Sequence, residues 1–484
     1  MDLTTGKNSG FLQRRRMLLL GLAAVIFCLS ISLPYFIGIL SLKVVLALTF
    51  LPFFLWLLLT YQEVALLALV TAHFGVGYFI PDVVTQGLIR GLFLLAIGFV
   101  LLLRTGVKKS VTRISTPLDK WVILWLVIVS VSFVYGFCFR HNNMRYSLGD
   151  LYKFLEIISI FWLTTLIVKD NKQIRFLVWG FLAIALMFGI IDSMIFFTRF
   201  RALGDVLGAR VRYAAQFSSI FALVLTVSLM LYEQKRRIRI ILAFLGFVFF
   251  VSFALTFFRT GYVALPSALI FIFFLYFYKH RKRFLPYARK FTTLIIFLLV
   301  FVGLVSGIFT LVNIDIIKET AARFYSMSDI SLLASAQIRI SEAKSIISGG
   351  IAQNPLLGAG LGAEYNGPRL QWSSDPEKSI MWERKHYVHN NYLEFLLRTG
   401  IPGLLIFLLL ALKYLKDAMR FYLRSKNWLY QGILLGAIGI FISSGILALS
   451  CNLLYSPLLF MMIAVTYCIA YLEEKFRLKT RENE

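Results

Sequence analysis

The sequence predicts an all-α polytopic membrane protein with about 12 to 14 transmembrane helices and one large helical extracytoplasmic loop. Hydrophobic residues make up 59% of the chain, and the mean hydropathy is +0.79. Apolar runs of about 18 to 25 residues recur along its whole length, as transmembrane helices require. Backbone groups in a bilayer must be satisfied within a helix or a closed barrel, and these runs are too long and continuous for barrel strands.

The candidate spans follow one another from the N-terminus. They begin near Met17, Val44, Val64, Gly87, Trp121, Leu151, Phe176, Tyr213, Ile240, Tyr262, Thr292, Tyr392, Leu429 and Leu453. Pro34 and the close spacing of the first two spans make a count of twelve or thirteen equally tenable. Arg14 to Arg16 precede the first span as in a signal peptide, but no small-residue cleavage site follows, so we expect this span to be retained.

Basic residues predict which ends of the spans face the cytoplasm. If Arg14 to Arg16 are cytoplasmic, the basic connections all fall on the same side, as the positive-inside rule requires. These connections lie around residues 104–113, 169–175, 235–239, 279–290, 413–426 and 475–481. The formal net charge of +26 would suggest nucleic acid in a soluble protein, but here topology accounts for most of it, and no nucleic-acid partner is expected.

The same alternation predicts three regions. Residues 1–312 form N-terminal transmembrane helices, residues 313–390 an extracytoplasmic (periplasmic) loop subdomain, and residues 391–484 C-terminal transmembrane helices with a cytoplasmic tail. Within the loop, apolar residues recur three and four positions apart over 314–324 and 332–351, which predicts amphipathic helices. Both termini are predicted to be cytoplasmic.

Several arginines break the charge rule by lying on the predicted outer side. They are Arg199, Arg201, Arg210, Arg212, Arg259, Arg323, Arg339, Arg369 and Arg384. A phosphorylated ligand is the simplest cause, because guanidinium groups bind phosphate oxygens through two parallel hydrogen bonds. For any single arginine the alternative is a side chain that snorkels to lipid headgroups. That alternative is weakest for Arg259, which lies between two apolar spans.

A histidine precedes the first span after the loop. His389 would lie at the mouth of a helix, where water and substrate can reach it. A neutral imidazole can accept a proton from a hydroxyl near neutral pH. An interfacial histidine or a helix cap is the alternative interpretation.

Three motifs in these regions resemble the bacterial O-antigen ligase and O-antigen polymerase family. They are Phe258-Arg259-Thr260-Gly261, Asn354-Pro355-Leu356-Leu357-Gly358-Ala359-Gly360-Leu361-Gly362 with Arg339 before it, and His389-Asn390-Asn391-Tyr392-Leu393 followed by Gly400-Ile401-Pro402-Gly403-Leu404. Phe258 replaces the usual serine. Arg210 resembles a further family arginine, but the polar turn after it differs, so Arg212 is the alternative for that role.

The resemblance implies a glycosyltransferase of the bacterial inner membrane whose active site faces the periplasm or the exterior. It implies an undecaprenyl-pyrophosphate-linked glycan as donor and a second glycan as acceptor. A lipid-linked acceptor gives polymerisation of surface polysaccharide, and the lipid A core of lipopolysaccharide gives ligation. The choice between the two stays open, with polymerisation slightly favoured. Membrane lipids surround the protein, and a chain-length regulator or a flippase is a candidate partner.

Chemistry and resemblance together predict the roles of the site residues. Arg210, or Arg212 in its place, and Arg259 would hold the pyrophosphate, Arg339 would orient it, and His389 would act as base or as a positioning group. The sequence has no Asp-x-Asp motif and no His/Cys cluster with ligand spacing, so we expect no cofactor and a metal-independent reaction. A single displacement at the anomeric carbon is expected to invert the configuration of that carbon. The rival hypothesis is a flippase or transporter of lipid-linked oligosaccharides, which should show a site facing the cytoplasm.

Overall fold

The computed structural model describes residues 62–79, 91, 113–203, 215–281, 303, 330–352, 354–370, 380–451 and 454–482. The chain divides into two compact units, Met1–Ala65 with Leu95–Ser110 and Leu66–Leu94 with Val111–Glu484. Nearly all described residues belong to the second unit. The predicted spans near Met17, Val44, Gly87 and Thr292 lie almost entirely outside the described residues, as do Arg210, Arg212 and the helix predicted over 314–324.

The described residues are mainly helical. The helices are α1 Gln62–Phe79, α2 Asp119–Val134, α3 Met144–Ile167, α4 Asn171–Leu203, α5 Ala215–Tyr232, α6 Arg236–Ala254, α7 Arg259–His280, α8 Ile330–Ser345, α9 Asn391–Arg424, α10 Trp428–Leu447 and α11 Pro457–Glu482. Helices α2 and α8 continue into π-helical turns at Tyr135–Phe139 and Ile346–Ile351. Strands β1 Tyr365–Leu370 and β2 Ile380–Lys385 pair antiparallel, with Gly367 opposite Glu383.

Seven helices in the described part of the chain are long and apolar enough to cross a membrane, namely α2, α4, α6, α7, α9, α10 and α11. Helix α3 is not among them, because Asp150, Lys153 and Glu156 lie within it. The predicted all-α polytopic fold is therefore confirmed. The periodicity of the sequence does not predict the β1–β2 hairpin, since strands of six residues give too little alternation to be recognised beside amphipathic helices.

Helix α10 forms the centre of the described bundle and packs against α5, α7 and α9. Its glycines allow this close approach. A Cβ atom at Gly436 would lie 2.6 Å from Leu225 in α5, and one at Gly439 would lie 2.6 Å from Val224. Small residues along one helix face are typical of helices that pack closely within a membrane.

Helices α9 and α10 are antiparallel and define two ends of the bundle. At one end, the Asn391 amide that begins α9 donates to the Ala448 carbonyl after α10, over 2.9 Å. At the other end, Lys279 in the last turn of α7 donates to the Ser425 carbonyl after α9, over 3.0 Å. We call the first the loop end, because the segment 354–370 contacts α2, α3 and α9 there. We call the second the basic end, because it holds connections of the predicted cytoplasmic set, including Lys169, Lys279 and Lys426.

The first prediction concerns the orientation of these ends. Cys138 is exposed in the π-helical turn after α2, at the loop end, which topology predicts to be extracytoplasmic. A variant with Cys138 as its only cysteine should react with an impermeant thiol reagent in intact spheroplasts. A variant whose only cysteine replaces the exposed Lys235, at the basic end, should react only after lysis. The reverse pattern would contradict the assigned orientation.

Candidate functional site

A histidine at the loop end is held by a buried carboxylate. His389 Nδ1 lies 3.1 Å from Oε1 of Glu342, and the His389 backbone N–H points to the same oxygen over 3.4 Å. The Glu342 side chain is only 3% exposed, whereas that of His389 is 34% exposed. The carboxylate therefore fixes the ring from inside while the ring itself stays accessible.

Helix α8 and strand β1 supply the surroundings of Glu342. Arg339, one helical turn earlier, places Nη1 3.5 Å from Glu342 Oε2. The Tyr365 hydroxyl donates to Glu342 Oε1 over 2.5 Å. Burial by itself raises the pKa of the Glu342 carboxyl, but hydrogen bonds from His389 and Tyr365 and the charge of Arg339 outweigh it and lower the pKa. Glu342 is therefore ionised at neutral pH.

The ionised carboxylate sets the chemistry of the imidazole. Because Glu342 can only accept a hydrogen bond, Nδ1 of His389 carries the proton of the neutral ring. Nε2 is then the unprotonated nitrogen and can accept a proton from a substrate. The Tyr387 ring packs edge-on against the imidazole at 4.9 Å between centroids and restricts its rotation. The arrangement is suited to general base catalysis.

The cap of α9 is a neighbour of His389. Asn390 Oδ1 accepts hydrogen bonds from the amides of Tyr392 at 2.9 Å and Leu393 at 3.2 Å, as an N-cap residue does. Asn391 is fully buried, and its Oδ1 accepts from the Leu454 amide over 3.0 Å. His389 is thus not needed as the cap, and the two asparagines hold the backbone that follows it.

Arg259 is the first residue of α7, in a tight turn. The preceding Phe257 has a φ of 47°, and a Cβ atom at Gly261 would lie 2.7 Å from Phe253. A larger residue at Gly261 would require the Phe253 ring to shift. Arg259 is half-buried, and its charge adds to the positive N-terminal end of α7. An anion near the N-terminus of α7 would therefore be attracted both by the Arg259 guanidinium and by the helix dipole.

The turn between α10 and α11 connects the region of Arg259 with the region of Arg339 and His389. Ser450 Oγ donates to Oγ1 of Thr260, the neighbour of Arg259, over 2.7 Å. Burial raises the pKa of the Cys451 thiol to about 12, and the nearby charge of Arg339 opposes that rise. The structure thus brings Arg259, Arg339 and His389 to the same end of the bundle. Their roles there stay predictions, and Arg210 and Arg212 lie outside the described residues.

The glycine-rich segment docks the loop onto the bundle. Gly358, Gly360 and Gly362 have φ values of 65°, 83° and 79°. A Cβ atom at Gly362 would lie 2.6 Å from the backbone nitrogen of Ser147 in α3, so only glycine fits. Asn142 donates from Nδ2 to the Ala359 and Leu361 carbonyls, over 2.9 Å each. This segment is therefore a contact surface between loop and helices.

Arg398 in α9 completes the docking from inside. It is fully buried, and Nε lies 2.9 Å from Asp150 Oδ2 in α3. Nη1 donates to the Ala363 carbonyl before β1, and Nη2 donates to the His386 carbonyl after β2 over 2.6 Å. Asp150 Oδ2 also accepts the Gly362 amide over 3.0 Å. One guanidinium therefore fixes both ends of the hairpin three residues before His389.

Glu342, Tyr365 and Arg398 belong to this arrangement but were not among the site residues predicted from the sequence. The spacing of Arg339 and Glu342, one helical turn apart, was a visible signal for an ion pair. The approach of Glu342 to His389, 47 residues further along, depends on the folded loop. Among the described residues, no group of three His, Cys, Asp or Glu side chains could hold a metal ion.

Comparison with known proteins agrees with the motifs. A family model described as O-antigen ligase matches residues 244–408, a range that holds Arg259, Arg339, Glu342, His389 and Arg398. This match confirms the resemblance to the bacterial O-antigen ligase and polymerase family. No curated protein matches the chain.

The second prediction tests the docking of the loop. Replacing Arg398 by Met leaves the buried Asp150 without its main partner, and breaking a buried ion pair typically costs about 3 to 5 kcal/mol. We expect Arg398→Met to lower the thermal unfolding midpoint of the purified protein clearly. The control is Arg424→Met, on the same helix but exposed. Equal midpoints for both variants would contradict the structural role of Arg398.

Proposed function

We propose that this chain, whose residues 244–408 match the O-antigen ligase family, is a membrane glycosyltransferase. It moves a glycan from an undecaprenyl pyrophosphate donor to a second glycan on the extracytoplasmic face of the inner membrane, and so extends or attaches a surface polysaccharide. The pair of His389 and Glu342 beside Arg339 is the observation on which this proposal rests. Glycosyl transfer needs a base for the acceptor hydroxyl and positive charge for the leaving pyrophosphate, and the loop end offers both.

The proposed reaction is a single displacement. Nε2 of His389 takes the proton of the acceptor hydroxyl while the oxygen of that hydroxyl forms a bond to the anomeric carbon. The bond from that carbon to the pyrophosphate oxygen breaks, and the pyrophosphate leaves with the electron pair. One displacement inverts the anomeric centre. The ionised Glu342 stabilises the imidazolium that forms.

Arginines neutralise the leaving group in this proposal. Arg259, at the positive end of α7, is the proposed main ligand of the pyrophosphate, and Arg339 orients it from α8. Arg210 or Arg212 would complete the site from the connection before α5. The reaction would then proceed without a metal ion or another cofactor. The acceptor is a lipid-linked repeat unit in polymerisation or the lipid A core in ligation.

The third prediction concerns the base and its carboxylate partner. Loss of a general base typically lowers the rate about 10² to 10⁴-fold, so we expect a fall in kcat of that size for His389→Ala. Glu342→Gln keeps the shape but removes the charge that orients the imidazole, a change that can cost up to about 10⁴-fold in related dyads. The KM for the lipid-linked donor should change little in His389→Ala, because the arginines bind the donor.

The matched control for this pair is Glu364→Gln, an exposed glutamate in the same loop that should keep normal kcat. Since the pKa of Glu342 is lowered from its ordinary 4.5, its carboxylate contacts persist at neutral pH and are lost only as the pH falls below that value. Wild-type kcat in Glu342→Gln would contradict the positioning role. A loss explained by a lower unfolding midpoint would also contradict it.

The fourth prediction concerns Arg259. Lysine keeps the charge but loses the planar fork that binds two phosphate oxygens at once. We therefore expect Arg259→Lys to lose much of the transfer activity and Arg259→Ala nearly all of it, at unchanged membrane insertion. Arg237→Lys, an exposed position at the basic end, is the control. Full activity in Arg259→Lys would favour an arginine that only snorkels to lipid headgroups.

A further inference from the structure

A cavity of about 990 Å³ opens at the basic end of the bundle. Three separate segments line it: the start of α4, the connection from α9 to α10, and the last turns of α11. Helix α9 separates it from His389. This helix runs from Asn391 to Arg424 with a kink at Gly400, and at a rise of 1.5 Å per residue the part after the kink alone spans about 35 Å. The cavity is therefore distinct from the proposed active site.

Positive charge dominates the lining of this cavity. Five basic side chains contribute to it, Lys169, Lys426, Lys475, Arg477 and Arg481, against two acidic ones, Asp170 and Glu473. The basic residues come from all three segments. The positive-inside rule accounts for basic connections at this end, but it does not require them to converge on one concave site.

Both carboxylates of the cavity already hold the local structure. Asp170 Oδ1 accepts the Gln173 amide over 2.8 Å at the start of α4. Glu473 Oε1 accepts the hydroxyl of Ser425 over 2.5 Å and so ties α11 to the end of α9. With five cations against two anions, the lining keeps an excess of three positive charges. Burial lowers the pKa of the Lys169 ammonium below its ordinary 10.5.

The cavity also has the apolar surroundings of a membrane interface. The last turns of α11 alternate basic residues with exposed apolar ones, and Phe476 and Leu478 are 73% and 54% exposed. Tyr430 lies on the cavity wall at the start of α10. Basic and aromatic side chains at a helix end are typical of the level of the lipid headgroups. A ligand of this cavity would thus lie beside the acyl region of one leaflet.

We propose that this cavity binds the phosphate of an anionic phospholipid from the cytoplasmic leaflet. The phosphate lies among the basic side chains of α11 and Lys426, and the acyl chains extend along the exposed apolar residues. Basic pockets between transmembrane helices on the cytoplasmic side suit such headgroups. A bound lipid would join α4, α11 and the α9–α10 connection, and so stabilise the basic end.

The test uses the full chain with three cavity charges removed, Lys475→Gln, Arg477→Gln and Arg481→Gln together. The protein is purified in detergent with equal amounts of phosphatidylglycerol and phosphatidylcholine, and retained lipids are counted by native mass spectrometry. The matched control removes three charges from the same end but outside the cavity, as Lys235→Gln, Arg236→Gln and Arg237→Gln. We expect wild type and control to retain phosphatidylglycerol selectively and the cavity variant to lose this selectivity several-fold.

Three outcomes would overturn the proposal. The cavity variant could retain as much phosphatidylglycerol as wild type, or the control could lose as much as the cavity variant, which would indicate general surface charge. Alternatively, inorganic phosphate could bind in a way that depends on the three cavity residues while phosphatidylglycerol does not, which would indicate a soluble ligand. An unchanged unfolding midpoint without lipid would show that the cavity variant is folded. The result is independent of the proposed function.

Discussion

The buried ion pair of Arg398 and Asp150 is the interaction on which the loop end depends. A guanidinium inside a helical membrane bundle is costly unless charge and hydrogen bonds compensate it. Arg398 meets this requirement with a carboxylate from α3 and with carbonyls that flank the β1–β2 hairpin. Because a buried charge needs partners, Arg398 holds both ends of the hairpin in place. Since His389 follows the hairpin directly, the same pair helps to decide where the proposed base lies.

Glu342 connects the docked loop to the proposed base, His389. A buried carboxylate with several donors stays ionised, and an ionised carboxylate holds an imidazole in one tautomer. Tyr365 from the hairpin and Arg339 from α8 supply those donors. The loop therefore does more than cover the bundle, because its folding creates the environment that orients His389, the proposed base. The opposite end of the same helices has a different character, with basic residues gathered around a cavity.

Many of the helices could be predicted from the sequence, because the periodicity and the charge of a helix are visible in its own residues. The predicted spans near Trp121, Tyr392 and Leu429 begin within a few residues of α2, α9 and α10. Contacts between distant segments could not be predicted in this way. The pairing of His389 with Glu342 depends on the fold of the loop. The glycines of 358–362 could be recognised as a motif, but their role as a docking surface follows only from their closeness to Ser147 and Gly136.

We propose that the loop end catalyses glycan transfer and does not bind lipid-linked glycan in transit across the membrane. The most direct measurement uses the purified protein in detergent, with lipid-linked glycan as donor and no membrane barrier. We expect elongated or ligated glycan to form, and to form at least about 10²-fold more slowly when His389 is replaced by Ala. No product in detergent, together with movement of lipid-linked glycan across vesicles that contain the protein, would contradict the claim and would identify a transporter.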